Sequence, residues 1–308
     1  MIWGLLAILA VIIATPFVAE ARRPRMDRAT RANAPGEFAN LSRGITHYHW
    51  IGPSDGPVAV CVHGLTTPSF VWEPIANGLA DQGFRVLLYD LYGRGFSDRP
   101  KGPQDADFFV TQLHDLLQDQ RVDGGITLLG YSMGGAIVPA FAARHPEMLR
   151  QLVLLAPAGM GHDLGPIARL VTNHNWLGTW LMMAFYGRSY RQALDAERDL
   201  PTAIDGIVDL QMAELDYRGF RPAVLSSMRE MLDMELKAEH RKIGKTGPPV
   251  LVIWGREDEV IPISGLDKLA EWNPAAQQEV IDDAGHALAY THNDQVLEAM
   301  RSVTDKRD

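Results

Sequence analysis

One cysteine, Cys61, occurs in 308 residues, so the chain can form no internal disulfide and no cysteine-based metal knuckle. Cys61 lies in an apolar run, where a thiol packs as a small hydrophobe. Positive charge is also scarce: 29 Lys and Arg stand against 38 Asp and Glu, a formal net charge of −9. A nucleic-acid partner, which needs a clustered basic face to neutralise phosphates, is set aside on that ground. Low-complexity tracts are missing. The glycine-rich stretch Gly93-Arg94-Gly95 has neither the dinucleotide glycine spacing nor the Lys-Ser/Thr ending of a phosphate-binding loop. With 46% hydrophobic residues, the chain can bury a large core.

Residues 1–19 are almost wholly apolar, and Arg22, Arg23, Arg25, Arg28 and Arg31 follow them. A run of that length can just span a bilayer, and arginines on its carboxyl side favour keeping that side in the cytoplasm. The expectation is a membrane-associated protein: an N-terminal anchor over 1–21, a polar tether over 22–44 and a domain over 45–308. The alternative is a cleaved signal. Ala19-Glu20-Ala21 supplies its small-residue site, without the basic start that a signal carries, and cleavage would leave a secreted or periplasmic domain.

Beyond the tether, strand and helix patterns alternate. Residues 45–51 read as an early antiparallel strand, with His47 and His49 on one face and no local carboxylate or cysteine to complete a metal site. Short continuous apolar runs at 58–62, 84–89, 126–129, 151–155 and 250–254 are the pattern of strands buried on both faces. Amphipathic stretches at 69–82, 105–118, 136–144 and 294–303 supply helices. This βαβα order predicts an α/β fold with a mostly parallel, doubly wound sheet, whose strand carboxyl ends gather the functional loops on one edge. The alternation pauses over 158–247, where Met and aromatic residues such as Met160, Trp176, Trp180, Met182, Met183, Phe185 and Tyr190 dominate. We read a helical cap inserted between two late strands, covering an apolar cleft. His162, His174 and His240 lack ligand spacing there, and Asp205, Asp209 and Glu214 read as a solvated face.

The chemistry centres on Gly130-Tyr131-Ser132-Met133-Gly134-Gly135. A G-x-S-x-G pattern between a strand and a helix sets a serine on a sharp turn, with glycines where neighbouring backbones must come close. A serine nucleophile needs a base and an acid to hold that base, each at a strand end. His286, after Gly285, supplies the base. Asp258 is preferred as the acid over Glu257, Asp282 and Asp283. Leu65, after His63-Gly64 at the end of the 58–62 run, can aim its N–H at a substrate carbonyl; His63 itself is expected to order that loop.

With these segments in this order, the chain resembles the α/β-hydrolase superfamily from about residue 45 to 303, and within it the capped esterase and monoacylglycerol-lipase-like branch. The resemblance implies carboxylic-ester hydrolysis without metal or cofactor, and the serine disfavours the branches that use an aspartate nucleophile. The expected machinery is Ser132, Asp258 and His286, with the N–H groups of Leu65 and Met133 holding the oxyanion. The expected partner is a small, lipid-like ester such as a monoacylglycerol. Two alternatives stay open at this point: a carbon–carbon bond hydrolase with the same triad, and a non-catalytic ligand-binding protein.

Overall fold

Apolar runs form the centre of the molecule because side chains alternate across a strand and both faces here are covered. The computed structural model describes residues 1–161 and 165–304; His162 lies outside them. An apolar helix α1 (Ile2–Ala21) leads into an eight-stranded sheet. Its strands are β1 (Glu37–Leu41), β2 (Gly44–Ile51), β3 (Val58–Val62), β4 (Arg85–Tyr89), β5 (Ile126–Tyr131), β6 (Leu149–Leu155), β7 (Val250–Gly255) and β8 (Gln277–Ile281). They lie in the order β1-β2-β4-β3-β5-β6-β7-β8. The two pairs made by β2, with β1 and with β4, are antiparallel; every other pair is parallel.

On one face, Val60, Val62, Leu128, Leu152, Leu154 and Val252 pack with Phe109, Leu113 and Phe141 from α3 (Ala106–Asp119) and α4 (Gly134–Arg144). On the other face, their alternate neighbours Ala59, Cys61, Leu129, Val153, Leu251 and Ile253 pack with Ile75, Leu79, Val296 and Leu297 from α2 (Glu73–Asp81) and α12 (Asn293–Thr304). Cys61 is fully buried, and burial pushes its thiol pKa up. The chain leaves β3 for β4 on one side and then returns to β5 on the other, which makes the carboxyl ends of β3 and β5 the crevice of an open sheet.

Helices α5 (Gly165–Asn173), α6 (Asn175–Ala196), α7 (Ile207–Ala213), α8 (Phe220–Arg229) and α9 (Lys237–Thr246) come between β6 and β7. After β7 come α10 (Gly265–Trp272) and, past β8, α11 (Leu288–Thr291).

Residues 22–44 differ from a tether. Their strand β1 pairs with β2, Met26 is buried, and the Arg31 guanidinium donates to Asp98 Oδ1 at 2.6 Å and to the Phe96 carbonyl at 2.8 Å. The segment is polar because its side chains satisfy the loop after β4, so the domain starts before residue 45. Glu214 is likewise not on a solvated face: it is buried, accepts from Gly95 N–H at 2.9 Å and lies 3.7 Å from the Arg99 guanidinium. Asp205 and Asp209 are exposed.

Candidate active site

β5 delivers Ser132 to the sheet edge and α4 leaves two residues later. Ser132 has φ +55°, a left-handed conformation that costs a non-glycine residue on the order of 1–3 kcal/mol and persists only when its surroundings enforce it. Here its N–H donates to the Leu155 carbonyl and its own carbonyl accepts from Ala158 N–H, both at 3.0 Å. The glycines allow the turn to close: a Cβ on Gly130 would strike the Gly134 carbonyl, and one on Gly134 would strike the Val62 carbonyl.

Residues far apart in the chain meet at this serine. Ser132 Oγ lies 2.9 Å from His286 Nε2, and His286 Nδ1 lies 2.8 Å from Asp258 Oδ2. The Asp258 side chain is 1% exposed, and its Oδ1 accepts from Val260 and Ile261 N–H, each at 2.8 Å. Both oxygens are thereby held, and the imidazole tautomer follows: Nδ1 carries the proton and Nε2 accepts from the serine. Glu257, Asp282 and Asp283 are exposed; Asp282 pairs with Arg256.

Tyr131 was not among the expected site residues. Its hydroxyl donates to the His286 carbonyl at 2.8 Å, and its ring lies 5.4 Å from the imidazole. The hint was its place at the variable position before the elbow serine, where a side chain is carried under the histidine loop.

The loop after β3 runs against the nucleophile, since a Cβ on Gly64 would lie 3.1 Å from Ser132 Cβ. Among the described residues neither Leu65 N–H nor Met133 N–H has an acceptor in the protein, and Met133 caps the N-terminus of α4, where backbone donors favour negative charge. His63 orders this loop: Nδ1 faces the Gly64 carbonyl and Nε2 accepts from Leu91 N–H, both at 2.8 Å. Burial pushes its pKa down to about 4, so it is neutral and a poor base.

Arg94 is a further residue that composition alone does not reveal. It is fully buried, and its guanidinium donates to the Leu65 carbonyl at 2.9 Å, to Gln104 Oε1 at 2.5 Å and to Ser227 Oγ of α8 at 2.8 Å. Burial pushes its pKa down to about 9.

His47 is also buried. Its Nδ1 donates to Asp90 Oδ2 at 2.8 Å and its Nε2 meets the Pro35 carbonyl. Burial opposes a charge on His47, but the Asp90 carboxylate outweighs it and the net shift is upward. Among the described residues no group of three or more His, Cys, Asp or Glu is placed to hold a metal ion.

The Met and aromatic residues expected to line a cleft divide. Met160, Met182, Met183, Phe220 and Met231 are buried in packing clusters, whereas Trp176 and Phe185 are exposed on α6. Two cavities, of about 1050 and about 170 Å³, open elsewhere; neither is lined by Ser132, Asp258 or His286. Ser132 and His286 are themselves partly exposed.

Comparison with known proteins gives a family. A family model described as the alpha/beta hydrolase fold matches residues 57–293. A 2-hydroxymuconate semialdehyde hydrolase of Pseudomonas sp. (strain CF600) is 31% identical over 282 residues, covering 84% of this chain and 92% of that protein. Lipase 3 of Moraxella sp. (strain TA144) is 26% identical over 234 residues, covering 75% of this chain and 72% of the lipase. Among solved structures, an esterase of Thermogutta terrifontis superposes with a TM-score of 0.71 at 20% identity, over 89% of this chain and 99% of its own; this likeness is one of fold. A family model spanning most of the chain, a relative of this identity and the sheet order agree: the chain belongs to the α/β-hydrolase family.

Proposed function

We propose that this protein hydrolyses carboxylic esters with apolar acyl groups, such as monoacylglycerols, through an acyl-enzyme on Ser132. The observation that carries the reading is the hydrogen-bonded line from Asp258 through His286 to a partly exposed Ser132 on a strained turn. His286 Nε2 takes the proton as Ser132 Oγ attacks the acyl carbon, and Asp258 stabilises the imidazolium. The Leu65 and Met133 N–H groups receive the oxyanion. His286 then returns the proton to the leaving alcohol, and water, activated by the same histidine, releases the acid.

Helix α1 serves as a retained anchor with the domain on the cytoplasmic side. It is 20 residues long with mean hydropathy 2.5. Glu20, inside the Ala19-Glu20-Ala21 stretch, is buried and accepts from Gly219 N–H at 2.7 Å, so the would-be cleavage site is part of the folded domain. The helices between β6 and β7 act as a cap.

A second reading, carbon–carbon bond hydrolysis with the same residues, is favoured by the 31% identical relative named for a semialdehyde hydrolase. Fluorophosphonate labelling followed by assays on an ester chain-length series and on diketone-type substrates separates the readings. Ser132→Ala is expected to abolish labelling and to lower ester turnover by about 10⁴-fold or more. Retained turnover in that variant sinks the mechanism, preference for short polar esters sinks the substrate class, and activity on diketones alone selects the second reading.

A further inference from the structure

The anchor helix is not loosely joined to the domain, and the geometry of the junction says which face meets the membrane. At 1.5 Å per residue a helix of 20 residues spans about 30 Å, the hydrocarbon thickness of a bilayer. The helix nevertheless contacts α6, and the positions it buries lie toward its carboxyl end. Half-buried Ile13 and buried Pro16 and Glu20 follow one another at spacings of three and four residues, one stripe of a helix. The turns beyond are pinned as well. Arg23 lies 3.3 Å from Glu20 and donates to the Leu215 carbonyl, while Arg218 N–H donates to the Pro24 carbonyl at 2.8 Å. A bilayer that contains α1 therefore reaches the level of α6.

The surface of α5 and α6 suits that level. Outside α1, the exposed large apolar side chains among the described residues include Ile167, Leu170, Trp176, Leu177 and Phe185 on these two helices; Phe38, Leu200, Leu210 and Val260 lie elsewhere, singly. Trp176 is 61% exposed and Ile167 78%. Leu177, half-buried Leu181 and Phe185 share one stripe of α6, with Trp176 and Trp180 beside it. Isolated exposed apolar residues are ordinary, but a cluster of this kind continuous with an apolar helix marks an interaction surface, and tryptophan favours the membrane–water boundary. Charge agrees. The cavity of about 1050 Å³ where α1 meets this segment is lined by Arg25, Lys101, Arg218 and Arg229 against Glu20 and Glu230, with Arg99 paired to Glu214, a cationic spot in a chain of net charge −9.

We infer that α5 and α6 form, with α1, a docking face seated in the interfacial layer of an anionic phospholipid bilayer. The opposite side of the same helices packs through Val171, Met182 and Met183 on a cluster that touches Leu65, so lipid and site loop are separated by about one helix diameter, roughly 10 Å. The inference rests on reading α1 as a retained anchor, and not on the role of Ser132.

Cys61 is fully buried, so single introduced thiols can be labelled specifically. Full-length Leu177→Cys, Phe185→Cys and, in the exposed turn before β3, Asp55→Cys would carry an environment-sensitive nitrobenzoxadiazole label in vesicles of phosphatidylcholine and phosphatidylglycerol. The expected result is blue-shifted emission, quenched by nitroxide-bearing lipids, at 177 and 185 but not at 55, weaker in phosphatidylcholine alone and unchanged by Ser132→Ala. Labels at 177 and 185 that behave like the one at 55 in protein retaining residues 1–21 overturn the docking face alone. A blue shift without lipid quenching means another protein copy covers it and also overturns it. Equal quenching in phosphatidylcholine overturns the anionic requirement. A soluble product lacking residues 1–21, seen by mass spectrometry, overturns the anchor reading and the docking face together.

Discussion

Gly64 sits where the loop after β3 runs against Ser132, and the space there is too small for a methyl group without crowding. A Cβ there would lie 3.1 Å from Ser132 Cβ and 3.5 Å from Oγ, tighter than normal packing for the first contact. Its φ is not in the left-handed region, so an alanine at 64 meets crowding without backbone strain. Gly64→Ala is expected to lower kcat by about 10-fold or more, since small displacements of reacting groups cost rate steeply, while shifting the melting temperature by only a few degrees; unchanged kcat would show that the loop yields. Asp258 illustrates how much of such a site is legible from residues. Chain order and strand ends single it out from Glu257, Asp282 and Asp283, and the structure places it 2.8 Å from His286 Nδ1 with the other three in solvent. Tyr131 and Arg94 escape such reasoning because their importance lies in which carbonyls they reach, and carbonyl positions are properties of the folded loops.

Between elements, Arg94 is the joint. It connects the Leu65 carbonyl to Ser227 and, at 3.4 Å, to the Ala223 carbonyl, both on α8, so the loop bearing one proposed oxyanion donor is held from the helical segment. Arg94 is a positioning residue in this view. Arg94→Met is expected to lower kcat by about 10-fold with KM nearly unchanged, less than the 10²–10³ of a lost oxyanion donor. It should also weaken a boronic-acid transition-state mimic in proportion. A variant that lost stability but kept kcat and mimic affinity would reduce Arg94 to a structural role. Regular elements were the readable part of the fold: the apolar runs at 58–62 and 126–129 coincide with buried strands because burial on both faces leaves an uninterrupted signal. β1 was missed for the converse reason. It is an edge strand, Glu37-Phe38-Ala39-Asn40-Leu41, that buries only Ala39, so its polar letters looked like tether.

Charge buried across the molecule sets how the whole responds to pH. Burial raises the Glu214 pKa from an ordinary 4.5 to about 7, with Arg99 only partly offsetting it. Between those values the native state binds more protons than the unfolded chain, so stability falls as pH rises through that range, by on the order of 3 kcal/mol for such a displacement. His47, shifted upward, adds stability that is present below its unfolded pKa and lost as pH climbs through its folded one. His63 and His240, both pushed down from 6.5 to about 4 by burial, act oppositely, adding stability as pH rises from about 4 and tapering off only above their unfolded value. Glu214 and His47 supply the part of the profile that declines as pH rises. Glu214→Gln is therefore expected to make the melting temperature fall less, or rise more, between about pH 5 and 7 than in the unsubstituted protein; an unchanged profile would assign the slope elsewhere. The bond from Glu20 to Gly219 spans 199 residues of chain. At synthesis rates of roughly 5–20 residues per second, its two ends leave the ribosome some 10–40 s apart. If α1 is the anchor proposed above, it would enter the bilayer before Gly219 exists, with Arg23 as the nearby partner of its basal carboxylate, and Gly219 and α8 would close onto a segment already fixed in place.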